Sequence, residues 1–101
     1  MNNIDVLEDI IDQIENIKGE IQSVNQFYDN QIDELDFESL SYQYNVANIE
    51  DERQENISEI ESLIPDVCFR INYSDKDEII TAMDIYENDI DFYDIQSVDI
   101  L

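Results

Sequence analysis

The chain has 101 residues, of which 27 are Asp or Glu and only 4 are Lys or Arg, giving a formal net charge of −23 at pH 7. That length suits one domain with a modest core, and an apolar fraction of 43% with six Tyr, four Phe, one Gly and one Pro excludes a solvated acidic tail. Histidine is absent and Cys68 is the single cysteine, which excludes Ser-His and Cys-His nucleophile pairs, structural zinc and an intramolecular disulfide.

Residues 7–28 fit a heptad template whose a and d positions are Leu7, Ile10, Ile14, Ile17, Ile21, Val24 and Tyr28. Every one is apolar, which predicts a long amphipathic helix. Ile4, Ile11 and Phe27 widen the stripe, Gly19 falls on the opposite face, and the pattern continues through Ile32 and Leu35 before fading in "DFESLSYQYN". A second helix is expected after Asn48, capped by that residue, with Glu50, Asp51 and Glu52 in its first turn. Ile49, Ile57, Ile60 and Ile64 share its face, and Pro65 stops it.

In "VCFRINY" the residues Val67, Phe69, Ile71 and Tyr73 alternate with Cys68, Arg70 and Asn72, the two-residue period of a half-buried strand. Ser74 followed by Asp77 resembles a capping start, and Ile79, Ile80, Met83 and Tyr86 would give a short helix its buried face. From about Phe92 to Leu101 a terminal strand is expected. The predicted fold class is α+β: a single domain over 1–101, mainly helical over 1–64, in which a long N-terminal amphipathic helix and a second helix pack with a small β-α-β unit over 65–101.

A helix of about 30 residues runs about 45 Å, while one of about 16 covers only about 24 Å of it. The remaining stripe needs another partner, either the segment 38–47 folded back or a second copy of the chain, and a homodimer is expected on the same ground for the small sheet.

The chemistry that is missing narrows the function classes. Without a glycine-rich loop neither a P-loop nor a dinucleotide fingerprint can be drawn, so no cofactor is expected. Carboxylates alone can catalyse, as in glycosidases, but among 27 acids some pair always has suitable spacing, so a pair carries no information. The chain is not expected to be an enzyme. Asp89, Asp91 and Asp94 suggest calcium, yet an EF-hand loop needs a glycine at its sixth position and a bidentate Glu at its twelfth, and residues 87–101 contain no glycine. No specific metal is expected. No apolar run approaches the roughly 18 to 20 residues of a membrane span, and an anionic surface is repelled by phospholipid headgroups. The N-terminus lacks a basic region followed by an apolar one, so an intracellular setting is expected.

What remains is the charge. Asp5, Glu8, Asp9, Asp12, Glu15 and Glu20 lie on the polar side of the first helix, with Lys18 as the only cation nearby. Six charges over this length are about one per 4 Å of axis, close to the roughly 3.4 Å per phosphate along one strand of duplex DNA. An acidic outer face also keeps a helix soluble, but solubility needs a net charge of magnitude only about 2 to 8 with both signs mixed. The closing stretch "YENDIDFYDIQSVDIL" repeats the theme without a cation. In it and just before it, Asp84, Glu87, Asp89, Asp91, Asp94 and Asp99, beside Tyr86, Phe92 and Tyr93, combine aromatic anchors with carboxylates that can pair with Lys and Arg. Tyr86 and Phe92 are equally well explained as core.

Taken together, a short, strongly acidic, α+β chain without catalytic residues resembles the nucleic-acid-mimicking inhibitors that phages and mobile elements encode, including anti-CRISPR and anti-restriction proteins. The resemblance is one of class and covers the chain through its composition. It implies a protein of the bacterial host cytoplasm that occupies the basic DNA- or RNA-binding surface of a defence nuclease and blocks its substrate, without binding nucleic acid or membrane itself. Other members of that class bind uracil-DNA glycosylases, histone-like proteins or polymerases. The partner-binding residues expected on this reading are Asp5, Glu8, Asp9, Asp12, Glu15, Glu20, Asp84, Glu87, Asp89, Asp91, Tyr93 and Asp94. Two alternatives stand beside it: an immunity protein or antitoxin that neutralises a basic nuclease toxin, and a coiled-coil scaffold module.

Overall fold

The computed structural model describes residues 2–88 and 90–101, and its fold is α+β. In chain order the elements are α1 (Asn3–Asp33), α2 (Tyr42–Glu61), β1 (Cys68–Tyr73), β2 (Asp77–Thr81), α3 (Ala82–Glu87) and β3 (Ile95–Ile100). They fall into two compact units, one formed by residues 1–18 with 64–101 and the other by 19–63, with α1 contributing to both.

The first unit is a three-stranded antiparallel sheet of order β2-β1-β3 with helical cover. Alternation along β1 buries Phe69, Ile71 and Tyr73 on one face, as the two-residue period requires. Against that face pack Leu7, Ile10 and Ile14 from α1, Ile80 from β2, Ala82 and Ile85 from α3 and Val98 from β3. Phe69, Leu7, Ile14 and Ile71 are the largest fully enclosed side chains, so the predicted heptad seam and the predicted strand meet in one core. Tyr86 and Phe92 are half-buried against the same cluster.

The C-terminal region holds one strand more than expected. Residues 77–81 pair with β1, Phe69 opposite Ile80 and Arg70 opposite Ile79, rather than opening a helix. Adjacent Ile79 and Ile80 suit a helix face equally well on paper, but in a strand they point to opposite sides. Ile80 is buried and Ile79 is exposed, as is Met83. The helix starts later, at Ala82, through a capping box in which the Asp84 backbone N–H donates to Thr81 Oγ1 at 3.1 Å and the Thr81 N–H to Asp84 Oδ2 at 2.9 Å. The capping chemistry anticipated at Ser74 and Asp77 therefore operates seven residues further on. Ser74, Asp75 and Lys76 instead turn the β1-β2 hairpin.

The second unit is a helical hairpin: the remainder of α1 from Gly19, a turn over 34–41, and α2. Here α2 begins at Tyr42, not after Asn48, which sits exposed inside the helix. The half-buried residues Tyr42, Val46, Ile49, Arg53, Ile57 and Ile60 run at helical spacing from the new start, so the stripe that was read from Ile49 extends a further two turns back. Glu50, Asp51 and Glu52 consequently lie beyond the first turn, which carries no acid. Ile64 is not on this helix; it follows the end of α2 and packs against the core of the first unit.

Packing in the hairpin is loose: the stripe of α2 is half-buried and no residue of that helix is fully enclosed. Tyr28 is its one fully buried large side chain, while Ile21 and Val24 are half-buried and Phe27, expected to widen the seam, is exposed. Two polar bridges join its helices. Arg53 reaches Asp29 at 2.8 Å, with Glu50 at 3.4 Å on its own helix, and the Asn56 side-chain amide donates to the Tyr28 hydroxyl.

Candidate functional site

On α1 within the first unit, Leu7, Ile10 and Ile14 fix one side of the helix to the sheet. At 3.6 residues per turn, that places Asp5, Glu8, Asp9, Asp12 and Glu15 within roughly a third of the circumference on the other side. All five are exposed. From Asp5 to Glu15 the axis advances about 15 Å, so successive charges are about 4 Å apart along it. Ion pairing among the described residues engages Asp29, Glu50 and Glu78, and none of these lies on that face.

Lys18, the cation that sequence placed near these acids, enters none of the ion pairs formed among the described residues. It sits on the inner side of the helix, where its Nζ lies 3.5 Å from the Ile85 carbonyl in the last turn of α3. A cation there meets the negative end of the α3 dipole and serves the short helix instead. The same ammonium lines a groove of about 590 Å³ between α1 and the segment after α3, whose walls include Ile11, Ile90 and Phe92 as well as Glu15 and Asp91. Two of the anticipated partner-binding carboxylates, Glu15 and Asp91, are thus brought to one groove.

Beyond Asp5, Glu8, Asp9 and Asp12, which share the α1 face with Glu15, the remaining candidates separate. Glu20 is exposed on the part of α1 that belongs to the helical hairpin. Asp84 is half-buried and its carboxylate is committed to the capping box. Glu87 is exposed at the end of α3, and Asp91, Tyr93 and Asp94 are exposed on the way into β3. Asp89 lies outside the described residues. Tyr93 stacks on Tyr73 with ring centroids 4.9 Å apart and planes 16° from parallel, and Lys76 stands 5.7 Å from the Tyr73 ring centre. Asp94 takes a positive φ of 43°, a turn conformation that Asp tolerates better than most residues. Burial, the Glu78 carboxylate and the neighbouring Tyr93 together raise the Tyr73 hydroxyl above its ordinary pKa.

Among the described residues no group of three His, Cys, Asp or Glu side chains is placed to hold an ion. Like charges on a single helix face diverge radially, so they present a field to a large partner more readily than they converge on a small cation. Among the described residues no helix is long and apolar enough to cross a membrane.

At the turn of the helical hairpin, sequence reasoning let the first helix fade and allowed 38–47 to fold back, but it did not single out the exposed residues of this stretch. Phe37 and Leu40 are there and Tyr44 follows in the first turn of α2, all strongly exposed, although the fading of the heptad pattern in "DFESLSYQYN" was the available signal. Comparison with protein-family models, curated proteins and solved structures finds no match to this chain.

Proposed function

We propose that the protein is an acidic nucleic-acid mimic that inhibits a bacterial defence nuclease, of the anti-CRISPR or anti-restriction kind, by occupying its DNA- or RNA-binding surface. The observation that carries this reading is the carboxylate face of α1: Asp5, Glu8, Asp9, Asp12 and Glu15, exposed and outside the ion pairs formed among the described residues, on a helix whose opposite side is locked into a core. A basic groove evolved for phosphates meets there a charge spacing of about 4 Å on a stiff support, close to that of a nucleic-acid strand. Because the helix is already folded, binding orders little of it, and long-range attraction speeds encounter. Asp91, Glu87, Asp94 and Glu20 extend the negative field, and Tyr93 offers an aromatic contact.

The test is competition. Purified restriction endonucleases and CRISPR effector complexes are titrated with the chain in the presence and absence of their own DNA or RNA. A target should be held in a complex that its nucleic acid displaces, and the logarithm of affinity should fall steeply with the logarithm of salt. Complexes that persist beside bound nucleic acid, or that ignore ionic strength, contradict the proposal.

A further inference from the structure

The turn joining α1 to α2 and the first turn of α2 that follows it carry three large apolar side chains that stay in solvent. Phe37 is 75% exposed, Leu40 107% and Tyr44 70%, all within eight residues. Single exposed apolar residues are ordinary, but three within eight residues concentrate apolar surface on one stretch of the chain, and concentrated apolar surface is what interaction sites present. The turn itself is well tied: the Ser39 N–H donates to the Asp36 carbonyl at 3.0 Å, the Tyr42 N–H to the Ser39 carbonyl at 3.1 Å, and the Glu38 N–H to Asp36 Oδ1 at 3.0 Å. Phe37 and Leu40 are therefore held outward by a hydrogen-bonded frame rather than left on a loose loop. Exposed Glu34, Asp36 and Glu38 surround them.

We infer that this turn is a second contact surface, an apolar plug with an acidic rim, that seats in an apolar cleft bordered by Lys and Arg on the same protein partner. The inference rests on the mimic reading and adds to it a contact that nucleic acid does not make. Charge complementarity selects the occupant. A second copy of this chain would bring an identical set of carboxylates against Glu34, Asp36 and Glu38, and an anionic lipid surface or a nucleic acid would be repelled in the same way. A basic protein surface gains both terms: the rim carboxylates pair with its cations, and the three side chains lose water. Salt weakens the first and spares the second, so the turn supplies affinity that survives where the helix face is screened.

The test uses the full chain with a photoreactive benzoylphenylalanine in place of Phe37 or, separately, of Gln13, an exposed residue bordering the α1 carboxylate face. Each is irradiated in bacterial lysate at low salt, and the protein captured through position 37 is purified and its affinity for the unmodified chain measured. Both positions are expected to capture one basic protein. The pair Phe37→Ser with Leu40→Ser should weaken its binding about tenfold or more, as loss of interface anchors does, with the salt slope and the thermal unfolding midpoint unchanged. Adducts through position 37 that join only copies of this chain, the absence of adducts there, or affinities of parent and variant within about twofold (well under a hot-spot loss) overturn the inference. Capture through position 13 alone sinks the turn contact and leaves the mimic reading standing. A captured partner that is not displaced by nucleic acid sinks the mimic reading itself.

Discussion

Arg53 Nη2 on α2 lies 2.8 Å from Asp29 Oδ1 on α1, and Arg53 is one of only four cations in the chain. Its side chain is 17% exposed against 62% for Asp29, so the pair is half sheltered. In a hairpin whose interior buries little beyond Tyr28, such a bridge weighs more than it would beside a large core. Arg53→Met, which keeps the aliphatic stem, should lower stability by about 1 kcal/mol. Asp29→Asn should cost less, because it also removes one negative charge from a strongly negative chain. A double-mutant cycle by urea unfolding checks the coupling, expected near 0.5 kcal/mol, and a coupling of zero would leave the hairpin to its packing and to the Asn56–Tyr28 hydrogen bond.

The imbalance of 27 acids against 4 bases has a consequence for folding. Raising ionic strength from about 0.01 M to about 0.15 M shortens the screening length from about 30 Å to about 8 Å. Repulsion among carboxylates then fades, and the thermal midpoint should rise with added salt. The ion pairs of Arg53 and Lys76 weaken over the same range, but they are few. A midpoint that stays flat or falls would mean that the folded charges are better compensated than their spacing implies.

Two tyrosines make stability sensitive to alkali. Burial raises the Tyr28 hydroxyl above its ordinary value, and the adjacent Glu52 carboxylate adds to the effect. Burial and Glu78 do the same for Tyr73. The unfolded chain releases these protons first, near pH about 10. Their contribution is therefore complete below that pH and is lost as pH rises through the folded-state values. Urea midpoints followed through this range should decline, and the decline should be shallower in Tyr28→Phe. An unchanged slope in that variant would remove Tyr28 from the account.

Gly19 lies on the exposed side of α1, and a methyl group added there meets nothing within 4 Å. Gly19→Ala should therefore stabilise the protein by up to about 1 kcal/mol through helix propensity and the lost freedom of the unfolded chain. Calorimetry of the two proteins provides the check, and a lower midpoint in the variant would show that glycine is needed at this point of the helix.

How much of this was legible in the sequence depended on whether burial followed a strict period. Leu7, Ile10 and Ile14 recur at helical spacing and Phe69, Ile71 and Tyr73 at strand spacing, and both sets are core. Ile79 and Ile80 satisfy either period over so short a run, and pairing with β1, a tertiary event, decided for the strand. The start of α2 was misplaced because Asn48 is a good cap by type, whereas the helix continues back to Tyr42 on half-buried side chains. For the candidate site, composition pointed to the acidic face of α1, since residues opposite a buried stripe must be exposed. It gave no hint that Lys18 turns inward, that Asp84 is spent on a cap, or that Phe37 and Leu40 stand in solvent, because each depends on what the local fold leaves within reach.

The most direct measurement is inhibition of a target nuclease by a chain in which Asp5, Glu8, Asp9, Asp12 and Glu15 are changed to the matching amides, keeping shape while removing five charges. Inhibition should weaken by at least about a hundredfold at low salt, since each charge pair lost adds to the electrostatic term, and the salt slope should shrink, while circular dichroism and the urea midpoint show an intact or firmer fold. Inhibition equal to that of the parent chain, with the fold intact, would contradict the claim that these carboxylates take the place of phosphates.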